Sequence, residues 1–351
     1  MEDLTRRLNA VALTPPASPI KTGLKPRLVY VDGMNYSDRF FKVGDHWCFK
    51  EARQNISKMV KHARESNIVL KVFLDAYIES DEAIQKWRSR REKEVRDRTR
   101  NMPQAMNVLL GEMFSMAGIE VAYSVDADND DTLASHAHHD RAAVMSRDKD
   151  FLRYNGASYR IFEDFTYKRE YLHLIPRRST YLRPGITKRD IHKPKPGVRS
   201  TDPGFVTLPD FYLRGSPSPL TRDCGNLHIT VRSLRQAYYA SLGIETTVRE
   251  EFPTYRTSDD DEGVVWLEEY VLPSDEYHDL LKSPEEAYKH YFGSLVRPGG
   301  VSNRDWDNHV YASYSVVFEL CALHLGISLF EMLFVICVLI RLELIIYYGT
   351  E

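Results

Sequence analysis

Residues 125 to 152 read VDADNDDTLASHAHHDRAAVMSRDKDFL, two tight groups of aspartate set against apolar runs. Such groups serve a solvated loop, a calcium loop, or a set of carboxylates that converge on metal. A calcium loop of the EF-hand kind needs Gly at its sixth position and Glu at its twelfth; counted from Asp126, those positions hold Asp131 and Ala137. Two more acids, Asp32 in LVYVDG and Asp75 in LKVFLDA, close short apolar runs of the same kind. Capping or turn formation accounts for any one aspartate after a strand. It accounts less readily for four runs that end in acid, two of them in an Asp-x-Asp pair, Asp128 with Asp130 and Asp148 with Asp150. Gathered carboxylates repel one another unless cations sit between them, and an all-oxygen donor set suits Mg2+ or Mn2+. Two such ions about 4 Å apart activate a water and stabilise the attacking and leaving oxygens of a phosphodiester. No obvious Ser, Cys or His nucleophile accompanies the acids, which favours attack by water. The HAHH run at 136 to 139 lacks a Cys or a third ligand at zinc spacing and is expected at a helix end or on the surface.

The elements that must position these acids alternate. Short runs of β-type residues, LVYVDG, LKVFLDA, IEVAYS, AAVMSRD and SYRIFEDF, are separated by stretches with helical periodicity. These stretches are FKEARQNISKMVKHARESN, ESDEAIQKWRSRREKEVRDRTRN, MNVLLGEMFSMAG and DDTLASHAHH. That alternation predicts an α/β fold with a mainly parallel sheet flanked by helices on both faces. In such a sheet the carboxyl ends of the strands share one edge, so all six acids are expected at one mouth.

The blocks LVYVDGMN, VFLDA, GIEVAYSVDADNDDTLASHA and VMSRDKDFL resemble, in order, those of the PIN-like nucleases of the flap endonuclease and XPG superfamily. The resemblance covers roughly residues 25 to 165. It implies a PIN-like sheet and a nuclease hydrolysing phosphodiester bonds of RNA or DNA with two Mg2+ or Mn2+ ions. The implied metal-holding, catalytic residues are Asp32, Asp75, Asp128, Asp130, Asp148 and Asp150, with Asp at 128 and 130 where the family usually has Glu. No helix-two-turn-helix pattern with glycines follows Asp150, so the chain looks closest to the asteroid group of XPG-like proteins, whose carboxy-terminal region is divergent. The rival expectation is a catalytically silent PIN-like scaffold that binds nucleic acid or protein.

In the resembling family a helical gateway follows the second acid, and its basic residues contact the scissile phosphate. Here that segment is QKWRSRREKEVRDRTR, with Lys86, Arg90 and Arg91 as phosphate-binding candidates. Trp87 is placed there either to stack on a base or to pack. The formal net charge is -3, so binding to a polyanion has to come from such local patches. Residues 1–26 read as a disordered leader, 27–165 as the PIN-like core, 166–204 as a basic Pro-rich linker, and 205–351 as a divergent, mostly helical region ending in apolar helices.

The last apolar stretch, 328 to 348, opens with Ser328 and Glu331 as a capping box and is interrupted by Glu331, Arg341 and Glu343. A buried or protein-partner-facing helix is expected there rather than a membrane span, which needs about 20 apolar residues. Cys48, Cys224, Cys321 and Cys337 are widely spaced without a C-x-x-C pair, as free thiols of an intracellular protein of nucleus or cytoplasm would be.

Overall fold

The computed structural model describes residues 27–41, 46–75, 81–99, 102–103, 105–124, 129–178, 186–194, 217–257 and 262–334. The alternating pattern builds β1 (Arg27–Asp32), α1 (Phe49–Glu65), β2 (Ile68–Asp75), α2 (Asp81–Asp97), α3 (Met106–Met116), β3 (Glu120–Ser124), α4 (Asn129–His139) and β4 (Ala143–Met145). A two-residue β5 (Tyr154–Asn155) precedes β6 (Ile161–Lys168) and β7 (Tyr171–Pro176), and β5 pairs with β8 (Arg189–Asp190). The central sheet has six strands in the order β3-β2-β1-β4-β6-β7. All its pairings are parallel except β6 with β7, so the fold is mixed α/β with a mainly parallel sheet. The chain walks from β1 out to β3 and returns to β4 on the other side of β1. Open sheets leave a crevice at the carboxyl ends where the direction reverses, here between β1 and β4.

The two-residue period of the strands sorts their side chains onto the two faces. Val29, Val31, Val72, Leu74 and Met145 enter one apolar cluster with Ile56, Met59 and Val60 of α1 and Leu109 and Met113 of α3. Tyr30, Phe73, Ala122 and Val144 enter the other with Leu133, Ala134 and Ala137 of α4. Helix α1 is amphipathic because Phe49, Ala52, Ile56, Met59, Val60 and Ala63 recur at helical spacing, and all six are buried. Helices α1 and α3 thus cover one face, and α4, on the return path, covers the other.

The expected linker differs from what is found. Residues 161–168 and 171–176 form a hairpin that closes the sheet, and Leu172 and Leu174 alternate inward in an otherwise charged segment. The carboxy-terminal part is not purely helical either. Strands β9 (Val248–Thr257) and β10 (Glu262–Val271) pair over their full length beside α5 (Arg232–Ser241), α6 (Pro284–Phe292) and α7 (Asn303–Leu325).

Its core is continuous with that of the sheet: Trp47 stacks on Tyr311 at 5.3 Å, and Phe330 lies 6.4 Å from Phe49. Ser328 caps the next helix as expected, accepting from the Glu331 N–H (3.3 Å). Glu112 of α3 accepts the Leu329 and Phe330 N–H groups (3.1 and 2.6 Å), tying that helix to the sheet domain. The described part of the apolar stretch, with Leu329, Phe330 and Leu333 buried, therefore faces core; 335–351 lie outside the described residues, as does the leader. Among the described residues no helix is long and apolar enough to cross a membrane.

Close packing of α3 on the sheet depends on Gly111, where a Cβ would collide with the Tyr123 hydroxyl and stand 3.1 Å from Leu74. Overpacking of this kind costs about 1–3 kcal/mol. Gly111→Ala is expected to lower stability to denaturant by that amount, and by clearly less in a Tyr123→Phe background. Equal costs in both backgrounds would show that the hydroxyl does not set the packing distance.

Candidate metal centre

The strand ends place the acids. Asp32 is the last residue of β1, and the chain must turn at once against β2: a Cβ at Gly33 would meet Leu74 at 2.6 Å and Val72 at 2.8 Å. With glycine there, the Gly33 N–H reaches the Phe73 carbonyl (2.9 Å) and Asp32 stays 7% exposed. Phe73 is the register partner of Asp32, so Asp75, two residues on, belongs to the same face. Asp75 is exposed at the end of β2, and its carbonyl accepts from the Asn107 side chain of α3.

A chain of hydrogen bonds joins the first strand to the fourth. The Asp150 N–H donates to Asp148 Oδ1 (3.0 Å), the Asp148 N–H to Ser146 Oγ (3.1 Å), and the Ser146 hydroxyl to Asp32 Oδ2 (2.9 Å). Asn35 reinforces the link, its N–H donating to Asp32 and its Oδ1 accepting from the Arg147 N–H (2.9 Å). Arg177, delivered by β7, donates to the Ser146 carbonyl (3.0 Å) and holds the same turn.

Asp130, in the first turn of α4, meets Asp148 and Asp150 so that one carboxylate oxygen of each lies within 4.8 Å of the others. Its neighbour Asp131 is otherwise engaged, accepting from Tyr154 and pairing with Arg153 (3.3 Å) and Arg189 (3.1 Å). The crevice therefore gathers Asp130, Asp148 and Asp150, with Asp32 wired to them and Asp75 alongside; Asp128 lies outside the described residues. Burial, then repulsion from Asp75, pushes the Asp32 carboxyl up to about 7, against the lowering effect of Ser146 and Asn35. Arg153, 3.6 Å from Asp150, brings one cation to the group and shares it with Asp131. The all-oxygen donors suit a hard divalent ion such as Mg2+ or Mn2+.

Sequence reasoning did not single out Ser146 and Asn35. The signal was present in S-R-D-K-D, because Ser or Asp side chains bond the N–H two residues on. The histidines do not gather: the His136 ring packs against Phe73 at 5.4 Å, and His138 contacts Ser158.

The basic helix divides into two faces. Trp87 packs against Trp266 of β10 (5.3 Å), Arg88 pairs with Glu251 of β9 (2.6 Å), and Glu92 accepts from the Trp266 indole N–H (2.8 Å). Arg91 pairs with Glu94 (2.6 Å) and lies over Trp87. Of the two roles open to Trp87, packing is the one observed, and Arg91 is held within its own helix. Lys86 and Arg90 are exposed, as are Lys93 and Arg96. No protein-family model, curated protein or solved structure matches the chain.

A carboxyl raised this far makes the fold pH-sensitive. The contribution of Asp32 to stability is complete below its ordinary range near 4 and is lost as pH rises through about 7. In metal-free protein, Asp32→Asn should change stability little at pH 4.5 and raise it by a few kcal/mol at pH 8.5, since each tenfold change in proton affinity is worth about 1.4 kcal/mol. Saturating Mn2+ at pH 8.5 should then raise the Tm of wild type more than that of the variant. A stability difference independent of pH would refute the assignment.

Proposed function

We propose that the chain is a metal-dependent nuclease with a PIN-like core, hydrolysing phosphodiester bonds of RNA or DNA by attack of water. The observation that carries this reading is the convergence of Asp130, Asp148 and Asp150 at the sheet's reversal point, joined to Asp32 through Ser146. The strand order, with acids following β1, β2, β3 and β4, supports the PIN-like reading. A divalent ion held by Asp130, Asp148 and Asp150 would supply an activated water and offset charge on a phosphodiester's oxygens.

The remaining roles belong to the chain. Asp32, with its carboxyl near neutrality, is placed to hold or accept a proton at the inner wall, and Ser146 fixes the oxygen that points to it. Asp75 stands at the exposed side, where it extends the carboxylate set toward a second ion. Lys86 and Arg90 present their charge on the exposed face of α2, where phosphates of a strand entering from the β2 side would be neutralised. Repulsion among carboxylates held this close argues for a bound ion in the working protein.

The test is cleavage of labelled single-stranded RNA, single-stranded DNA and flapped duplex with Mn2+ or Mg2+. Wild type should cut at least one of them, and the Asp148→Asn/Asp150→Asn protein should be slower by at least about 100-fold, as expected when metal ligands rather than their supports are removed. Asp75→Asn should also lose activity. Failure of well-folded wild type on every substrate would replace this reading with that of a silent scaffold.

A further inference from the structure

On the β4–β6 side of the crevice, opposite to α2, a second group of cations stands next to the carboxylates. Arg147 lies between Ser146 and Asp148 in the chain, and its guanidinium sits 4.9 Å from the ring centroid of the buried Tyr36. Tyr36 in turn lies 5.9 Å from Phe165 of β6, and Arg39 covers that ring at 5.1 Å. Because Met145 pairs with Phe162, β6 runs on past the end of β4, so Asp164 and Phe165 wall the carboxyl edge. Two aromatic rings thus form a floor that presents two guanidinium groups beside the acidic mouth.

Both guanidiniums keep about a third of their side-chain surface exposed, 35% for Arg147 and 38% for Arg39. Each has a carboxylate partner, and Arg39 also donates to the Phe165 carbonyl (2.8 Å). Asp38, 56% exposed, makes a two-point contact with Arg147 (2.8 and 2.9 Å), and Asp164 lies 3.5 Å from Arg39. The two-point contact shows the Arg147 fork engaging the planar Asp38 carboxylate, and Arg takes phosphate by the same two-point geometry. The Arg147 pair faces solvent, which screens its attraction, so a phosphate oxygen can compete with the carboxylate for the fork.

We propose that Arg147 and Arg39 form a phosphate-binding rim that seats the sugar-phosphate backbone of a nucleic-acid strand, at a phosphate flanking the one that faces the carboxylates. Asp38 and Asp164 hold the rim ready and are displaced when the strand binds. The proposal rests on reading the acidic crevice as a phosphodiester site, and it adds a second seat on the side away from α2. A merely structural role, with Asp38 fastened to the turn after β4 and Arg39 to β6, predicts no tightening of binding on loss of Asp38.

The experiment is binding of labelled single-stranded RNA and DNA to the full chain in EDTA, across a salt series, by fluorescence anisotropy. Arg147→Ala/Arg39→Ala should weaken binding about tenfold or more at low salt and reduce the slope of log K against log salt by about 1.4, two contacts at about 0.7 each. Its Mn2+-induced rise in Tm should match that of wild type. Asp38→Asn should tighten binding about threefold, as expected for freeing one phosphate-contacting cation, while Asp279→Asn, the same charge change at a surface pair with Lys282, should not.

An unchanged salt slope in the double variant, or binding no tighter in Asp38→Asn than in Asp279→Asn, would overturn the rim; if the double variant fails to fold, the Asp38→Asn comparison decides alone. No affinity of wild type for either strand would also overturn it, and a retained Mn2+ response would then leave the metal centre standing. Comparison of the RNA and DNA arms assigns the strand type.

Discussion

Removing the Asp32 carboxylate from water at the end of β1, with Asp75 and Asp148 close by, costs free energy that its own hydrogen bonds only partly offset, so the fold around it must supply the difference. Two like charges about 4 Å apart repel by about 4 kcal/mol at the effective dielectric of a protein surface. The acids stay together because the strands that carry them are pinned on both faces, Val29, Val31 and Val72 on one and Tyr30 and Phe73 on the other. A single substitution at Gly33 would disturb this at its source, since the turn that buries Asp32 leaves no room for a Cβ beside β2. Rigidity of the sheet and strain in the crevice are therefore linked.

That link explains which parts were legible in the sequence. Acids that close apolar runs, such as Asp32 in LVYVDG and Asp75 in LKVFLDA, announce both the strand and its end, and parallel topology then brings them to one edge. The pair Asp148 and Asp150 was legible for the same reason, and Asp130 came with the third strand. The role of Ser146 was less so, because its bond to Asp32 spans 114 residues and depends on the register of β4 with β1. In sequence β7 reads as part of a linker because Lys168, Arg169 and Glu170 obscure a short alternation in which only Leu172 and Leu174 turn inward. For α2, the charge pattern reveals the helix but not the fate of its faces. Trp87 and Arg88 are engaged by Trp266 and Glu251, more than 160 residues away, and such contacts leave no local mark.

The hairpin that engages α2 is itself anchored by a buried ion pair. Arg235 of α5 and Glu250 of β9 are both fully buried at 2.6 Å, with the Tyr239 hydroxyl donating to the same carboxylate (2.7 Å) and Arg235 stacked over Phe252. A buried pair is weak evidence for stability, because its desolvation rivals its attraction, but it tolerates few alternative geometries. It fixes where β9 lies, and Arg88 with Glu251 and Trp87 with Trp266 then fix α2 against the hairpin. The carboxy-terminal region thus determines which basic side chains of α2 face solvent, and those are Lys86, Arg90, Lys93 and Arg96.

Charge is distributed so that the chain as a whole does not attract a polyanion while Arg147 stands in the chain between the crevice residues Ser146 and Asp148. The net charge of -3 sets no long-range pull. Within a Debye length of about 8 Å at physiological salt, only local groups count. On the β4–β6 side Arg147 pairs with Asp38 and Arg39 with Asp164 and the Phe165 carbonyl, whereas the inner face of α2 is committed to the hairpin. Under the proposed function, a strand would therefore meet two unlike sets of cations, one a row of exposed charges on α2 and the other a pair of guanidiniums over the Tyr36 and Phe165 rings. In that proposal the asymmetry would set the direction in which a strand lies, because only Arg147 is tied by the chain to one position relative to Asp148.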